Sequence, residues 1–228
     1  MDLSGLAGRM RDEFLDDTTG SDAERRWPLQ NLYSALISAE KEIASRLLLI
    51  SDSTTPSICQ ITVTMVNGAY PRTYAISDRI LRIERLRFPN VLKPLSQKTV
   101  AQLDREDSGW DDATGVPAAY TVDYNTAQLT FNRVPTSGGI ATMSVKRRPV
   151  TERIAADRRG DSSLEIKSYD EPIIHGALKY AYLKNDSQTF DPVRSKVWAG
   201  VFETDIKQIQ QDMAAFNPQT LVMQPEAF

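Results

Sequence analysis

The sequence predicts an α+β fold: a helical bundle built from the N- and C-terminal segments, with an antiparallel β domain inserted between them. Three observations predict it. Residues 28–50, PLQNLYSALISAEKEIASRLLLI, repeat apolar side chains at the i, i+3, i+4, i+7 spacing of an amphipathic helix. Between 58 and 147 the period drops to two, and tight-turn signals separate the runs. From 169 the helical period returns and carries to about 216. Helices at the two ends, each too apolar on one face to stand alone, cover one another most simply by packing together.

In chain order, Leu6, Met10, Phe14 and Leu15 give residues 3–16 the face of a first short helix. DTTGSD (17–22) is a loop by composition. The long helix begins at Pro28, whose missing N–H leaves no bond unmade in a first turn, and spans on the order of 33 Å. Leu29, Leu32, Tyr33, Leu36, Ile37, Ile43, Ala44, Leu47 and Leu48 are its stripe. SDSTTPS (51–57) breaks it.

In 58–66 Cys59, Ile61, Val63 and Met65 alternate with polar residues, and Asn67-Gly68 marks a turn. Residues 73–77 and 80–88 are further strands. The second holds Arg82, Arg85 and Arg87, and its phase slips between Ile83 and Leu86, which predicts a bulge. Residues 99–104 are a short helix, and 104–117 an acidic loop around Trp110. Tyr120, Val122 and Tyr124, then Ala127, Leu129 and Phe131, then Ala141, Met143 and Val145 alternate across two turns, which predicts a three-strand antiparallel meander.

A basic run, KRRP (146–149), and a polar connection follow. Residues 169–184 and 192–216 are helices opened by Asp170 with Pro172 and by Asp191-Pro192. Val193, Val197, Trp198, Val201, Phe202, Ile206, Ile209 and Met213 are the apolar face of the last one. NPQTLVMQPEAF (217–228) has no helical period and is an extended tail. The expected divisions are 1–57 for the N-terminal helices, 58–150 for the β platform, 151–216 for the helices that complete the bundle, and 217–228 for the tail.

Bulk properties bound the function. The 228 residues are 41% hydrophobic and 25% charged, close to average usage for a globular protein. No stretch approaches the roughly 20 apolar residues that cross a bilayer. The opening MDLSGLAGRMRDEF carries charges where a signal peptide needs an apolar segment, so synthesis in the cytoplasm is expected. One cysteine, Cys59, excludes an intrachain disulfide and a multi-cysteine zinc site.

The net charge of −3 argues against general nucleic-acid binding. Its distribution is uneven. Residues 1–57 and 160–228 each carry 6 basic and 10 acidic groups, whereas 58–159 carry 15 and 10. Acidic ends and a basic middle point to different partners for the two parts, or to charges that merely solvate outer faces.

No catalytic constellation stands out: GxGxxG, the P-loop lysine motif, GxSxG and HExxH are all missing. His175 has only Glu171 and Lys179 at i±4 and reads as an ordinary helical histidine. Cys59 alternates with core residues and reads as a small buried apolar group. Asp104, Glu106, Asp107, Asp111 and Asp112 could run glycoside hydrolysis or hold calcium. Their spacing misses the EF-hand pattern, however, and carboxylates in such loops are ordinarily solvated. No cofactor is expected. Arg82, Arg85, Arg87, Lys146, Arg147 and Arg148 suit phosphate or an acidic protein surface. With few aromatics interleaved, protein contact is the better reading.

An ordered series of segments carries a resemblance. WPLQNLYSALISAEKEIASRLLLISDST, then ICQITVTMVNGAYPRTYAISDRILRIERLRF, then GW…GVPAAYTVDYNTAQLTFNRVP with GGIATMSVKRRP, then EIKSYDEPIIHGALKYAYLKNDSQTFDP cover about 27–210. In this order they resemble the head-to-tail adaptor (head–tail connector) proteins of tailed bacteriophages, of the short-tailed-phage type. The resemblance implies a homo-oligomeric ring, typically of twelve copies, in the virion neck beneath the portal protein. It implies a lumen that passes DNA non-specifically and a face that receives a tail nozzle or tail tube protein, sometimes with fibres. No catalytic residue is carried over.

On this reading Leu221, Val222, Met223 and Phe228 anchor the tail segment on the portal. Arg82, Arg85, Arg87, Arg147, Arg148 and Trp110 are the candidates for contacts between subunits or with the tail. The alternatives are a tail or baseplate component, or an adaptor whose acidic loop carries an accessory cell-wall hydrolase activity.

Overall fold

The computed structural model describes residues 2–15, 26–150, 163–184 and 189–216. Its helices are α1 (Leu3–Arg9, continued by a π-helical Met10–Leu15), α2 (Leu29–Leu47), α3 (Pro56–Cys59), α4 (Val100–Glu106), α5 (Asp170–Tyr182) and α6 (Pro192–Phe216). Its strands are β1 (Ser51–Asp52), β2 (Gln60–Val63), β3 (Thr73–Ala75), β4 (Ile80–Arg87), β5 (Ser96–Gln97), β6 (Ala119–Asp123), β7 (Gln128–Phe131) and β8 (Gly139–Arg147). The fold is α+β. The chain divides into two compact units, Met1–Leu47 with Pro149–Phe228, and Leu48–Arg148.

The first unit is helical. The Asp2 carboxylate accepts from the Gly5 N–H at 2.7 Å and caps α1. The stripe of α2 is core: Leu32, Leu36, Ala39, Ile43 and Ala44 are fully buried. α2 packs on α5, which packs in turn on α6. Gly176 sits at this crossing, where an added Cβ would come within 2.8 Å of the Phe202 ring and 2.9 Å of Ala39 Cβ.

Charged groups tie the same helices at their edges. Glu42 on α2 accepts from Lys179 Nζ and the Tyr180 hydroxyl on α5, both at 2.6 Å. Arg46 forks onto Glu203 of α6 at 2.5 and 2.7 Å. Burial raises the Tyr180 phenol, and its bond to Glu42 adds to the rise, to about 12. Glu40, buried on α2, accepts from the N–H groups of Glu165 and Ile166, which fixes the approach to α5.

Two expectations for the helices need correction. α2 ends at Leu47 rather than near Ile50, because Leu48 takes a left-handed φ of 52° that no helix continues through. The face of α6 is also narrower than its apolar pattern. Phe202, Ile206 and Ile209 are buried, but Val193, Val197 and Met213 are exposed. α6 packs chiefly against α5, and among the described residues the i, i+4 row through Val193 and Val197 stays exposed.

The second unit holds two four-stranded sheets. In the first, β8 is central; β4 pairs along one side of it, and β1 and β2 pair in succession along the other, all antiparallel. In the second the order is β3-β7-β6-β5, with β5 parallel to β6. One core lies between the sheets, formed by Ile61, Val63, Ile83, Leu86, Met143 and Val145 from the first and Tyr120, Leu129 and Phe131 from the second.

The predicted meander is therefore corrected. β6 and β7 form the expected hairpin, but β8 leaves it for the other sheet. The glycines at its start fit the close approach of the chain there. Gly139 has a φ of +142°, and a Cβ there would lie 2.8 Å from Pro89 Cβ; a Cβ on Gly138 would lie 2.6 Å from the Val63 carbonyl oxygen. A further correction concerns the first predicted strand, whose opening residues Ile58 and Cys59 close the single helical turn α3.

Candidate functional site

The register of the first sheet decides what its two faces carry. Inward go the pairs Ile83 with Val145 and Leu86 with Met143. Outward go Arg82 opposite Lys146, Arg85 opposite Ser144, and Arg87 opposite Thr142. The β4 register shifts between Ile83 and Arg85, where the bulge was expected, and again between Ile80 and Arg82. Plain alternation would send Arg82 and Arg85 to opposite faces. The extra residue restores one phase for all three arginines.

Arg82, Arg85 and Arg87 are exposed and make no side-chain hydrogen bond or ion pair among the described residues. Lys146 donates to the Ser51 hydroxyl at 2.6 Å and stands 3.9 Å from Glu84. Gln60, Thr62, Thr142 and Ser144 complete a polar, hydroxyl-rich surface, with exposed Ile140 toward the Gly139 end.

The other two basic candidates lie elsewhere. Arg147 continues the inward phase of Met143 and Val145, and its Nε donates to Asp52 Oδ2 at 2.7 Å inside the fold. Burial pushes the Asp52 carboxyl up. The N–H groups of Thr54 and Thr55 and the Arg147 guanidinium outweigh that and hold it far below the usual carboxylate range. Arg148 is exposed just beyond the strand, and its backbone N–H donates to the Arg79 carbonyl.

Trp110 is a hub of the acidic loop. Its indole N–H donates to Asp104 at 2.6 Å, and the Arg72 guanidinium lies 4.1 Å from its ring centroid. Arg72 also donates to the carbonyls of Phe131, Trp110 and Asp111, which ties the loop to β7. Sequence reasoning passed over Arg72. A single arginine after a Tyr-Pro turn carries no local signal of so distant a partner.

Near the loop lies a cavity of about 640 Å³ whose lining includes Leu95, Leu103, Trp110 and Arg133, with the Lys98–Glu106 ion pair at its wall. No group of three or more His, Cys, Asp or Glu residues is set to hold a metal ion among the described residues.

His175 finds the partner its own helix lacks: Nδ1 lies 2.8 Å from Asp205 Oδ2 on α6, and the ring stacks on Trp198. Cys59 is buried, and burial with the nearby Asp52 carboxylate pushes its thiol up to about 11, away from nucleophilic chemistry at neutral pH. Leu221, Val222, Met223 and Phe228 lie outside the described residues. Among the described residues no helix is long and apolar enough to cross a membrane.

What the two units hold in place is contact chemistry: packed cores, cross-braced helices and a preset cationic sheet face. Such features are those of a surface built for contact with other proteins. The family described as SU10 adaptor protein matches residues 1–223, and the chain belongs to this family of phage adaptor proteins. The family is structural, and membership implies a component of the virion neck that meets portal and tail proteins. No curated protein matches the chain.

Proposed function

We propose that the chain is a head-to-tail adaptor that assembles as a twelve-copy ring beneath the portal, joins the capsid to the tail and leaves a passage for DNA. The family match over 1–223 carries this reading. The charge distribution supports it. Acidic segments 1–57 and 160–228 suit a wall past which a polyanion slides without sticking.

In this reading the bundle of 1–57 and 151–216 packs against neighbours around the ring, and 58–150 is the platform toward the tail. Leu221, Val222, Met223 and Phe228 of the segment 217–228 anchor on the portal, an extended stretch that orders on contact. Arg82, Arg85, Arg87, Arg148 and Trp110 remain the candidate contacts with neighbours or the tail. Deleting 217–228 and measuring binding to purified portal rings tests the anchoring. Binding weakened at least about tenfold is expected; undiminished binding removes that segment from the portal interface.

A further inference from the structure

We infer that the outer face of the first sheet is the receiving half of a head-to-tail contact between copies of this chain, and that it accepts an acidic surface of a second copy. The inference rests on the ring reading and names the partner of the cationic face. Three arginines that no carboxylate among the described residues neutralises stand in one phase on β4, with Lys146 beside them on β8. Neither bulge nor register permits them to turn inward, so the charge is preset rather than adopted on binding.

The occupant follows from charge. A second copy offers carboxylates in excess, since residues 1–57 and 160–228 each carry a net −4. A two-fold contact of this face with itself would set arginines against arginines, so electrostatics select a heterologous contact in which one copy receives and the next inserts. Such a contact closes into rings when its rotation permits. A nucleic acid fits less well. The chain is acidic overall, and exposed Ile140 (54%), opposite Thr62, gives the end of the face an apolar side that phosphates do not use.

The test uses the full chain and the variant R82E/R85E/R87E, whose fold is checked by its unchanged melting curve. In sedimentation velocity at low salt, wild type is expected to associate, high salt to weaken the association, and the variant alone to remain monomeric, weakened at least about tenfold. Mixed with wild type, the fluorescently labelled variant is expected to co-sediment and to shorten the assemblies, because it can insert but cannot receive.

Association of the variant equal to wild type overturns the inference while leaving a ring built on other surfaces intact. A wild type that stays monomeric at low salt overturns it. So does a variant excluded from wild-type assemblies, which marks the contact as two-fold. A variant that loses only duplex-DNA binding assigns the face to nucleic acid instead. Electron microscopy of virion necks, scored separately for a ring, reports on the ring reading itself.

Discussion

Asp52 and Arg147 show how much one buried charge pair can decide. Their oxygen and nitrogen meet at 2.7 Å, and each residue is under a tenth exposed. Replacing Asp52 by Ala leaves a guanidinium in the core without its carboxylate and is expected to cost about 3–5 kcal/mol in urea denaturation. The pair also sets a pH dependence. The folded carboxyl titrates below its unfolded value, so its stabilisation is complete above the unfolded value and is lost as pH falls through the folded one. Melting temperatures taken downward from about pH 5 should therefore fall more steeply in wild type than in Asp52→Asn. Equal slopes would contradict the assignment. The inward phase of Arg147 was legible in principle: it continues the alternation of Ala141, Met143 and Val145. Reading KRRP as one surface patch concealed it.

At the scale of elements, local periodicity was the legible part. The stripe of α2, the start of α6 at Pro192 and the slip in β4 are all short-range patterns, and each is found in the structure. Strand partnership was not legible, because β8 chooses among edges far apart in sequence, and the close approaches at its start, Gly139 to Pro89 and Gly138 to Val63, are themselves long-range. The width of the α6 face failed for a related reason, since burial depends on which neighbour lies above each row.

Gly176→Ala gains up to about 1 kcal/mol of helix propensity, but overpacking against Phe202 and Ala39 costs about 1–3 kcal/mol. A net loss of stability in urea denaturation is expected, and a gain would mean that the helices move apart freely. Arg72→Met removes three carbonyl contacts and the stacking on Trp110, so limited proteolysis should cut within 104–117 faster while the melting curve shifts little. An unchanged cleavage rate would show that the loop holds without Arg72.

For the whole molecule, the division into a helical unit and a two-sheet unit fits a protein whose work is contact. Little of the site could be read as a site from sequence. The three arginines were visible, but their common face depends on a register that only pairing with β8 reveals. The adaptor class rested on the order of whole segments, and the family match over 1–223 secures it. The central claim is that this adaptor closes as a ring beneath the portal. Electron microscopy of purified neck complexes, with this chain labelled by antibody, tests it most directly. A closed ring of label immediately below the portal, on the tail side, is expected; label confined to the tail tip, or single copies without a closed ring, would rule that arrangement out.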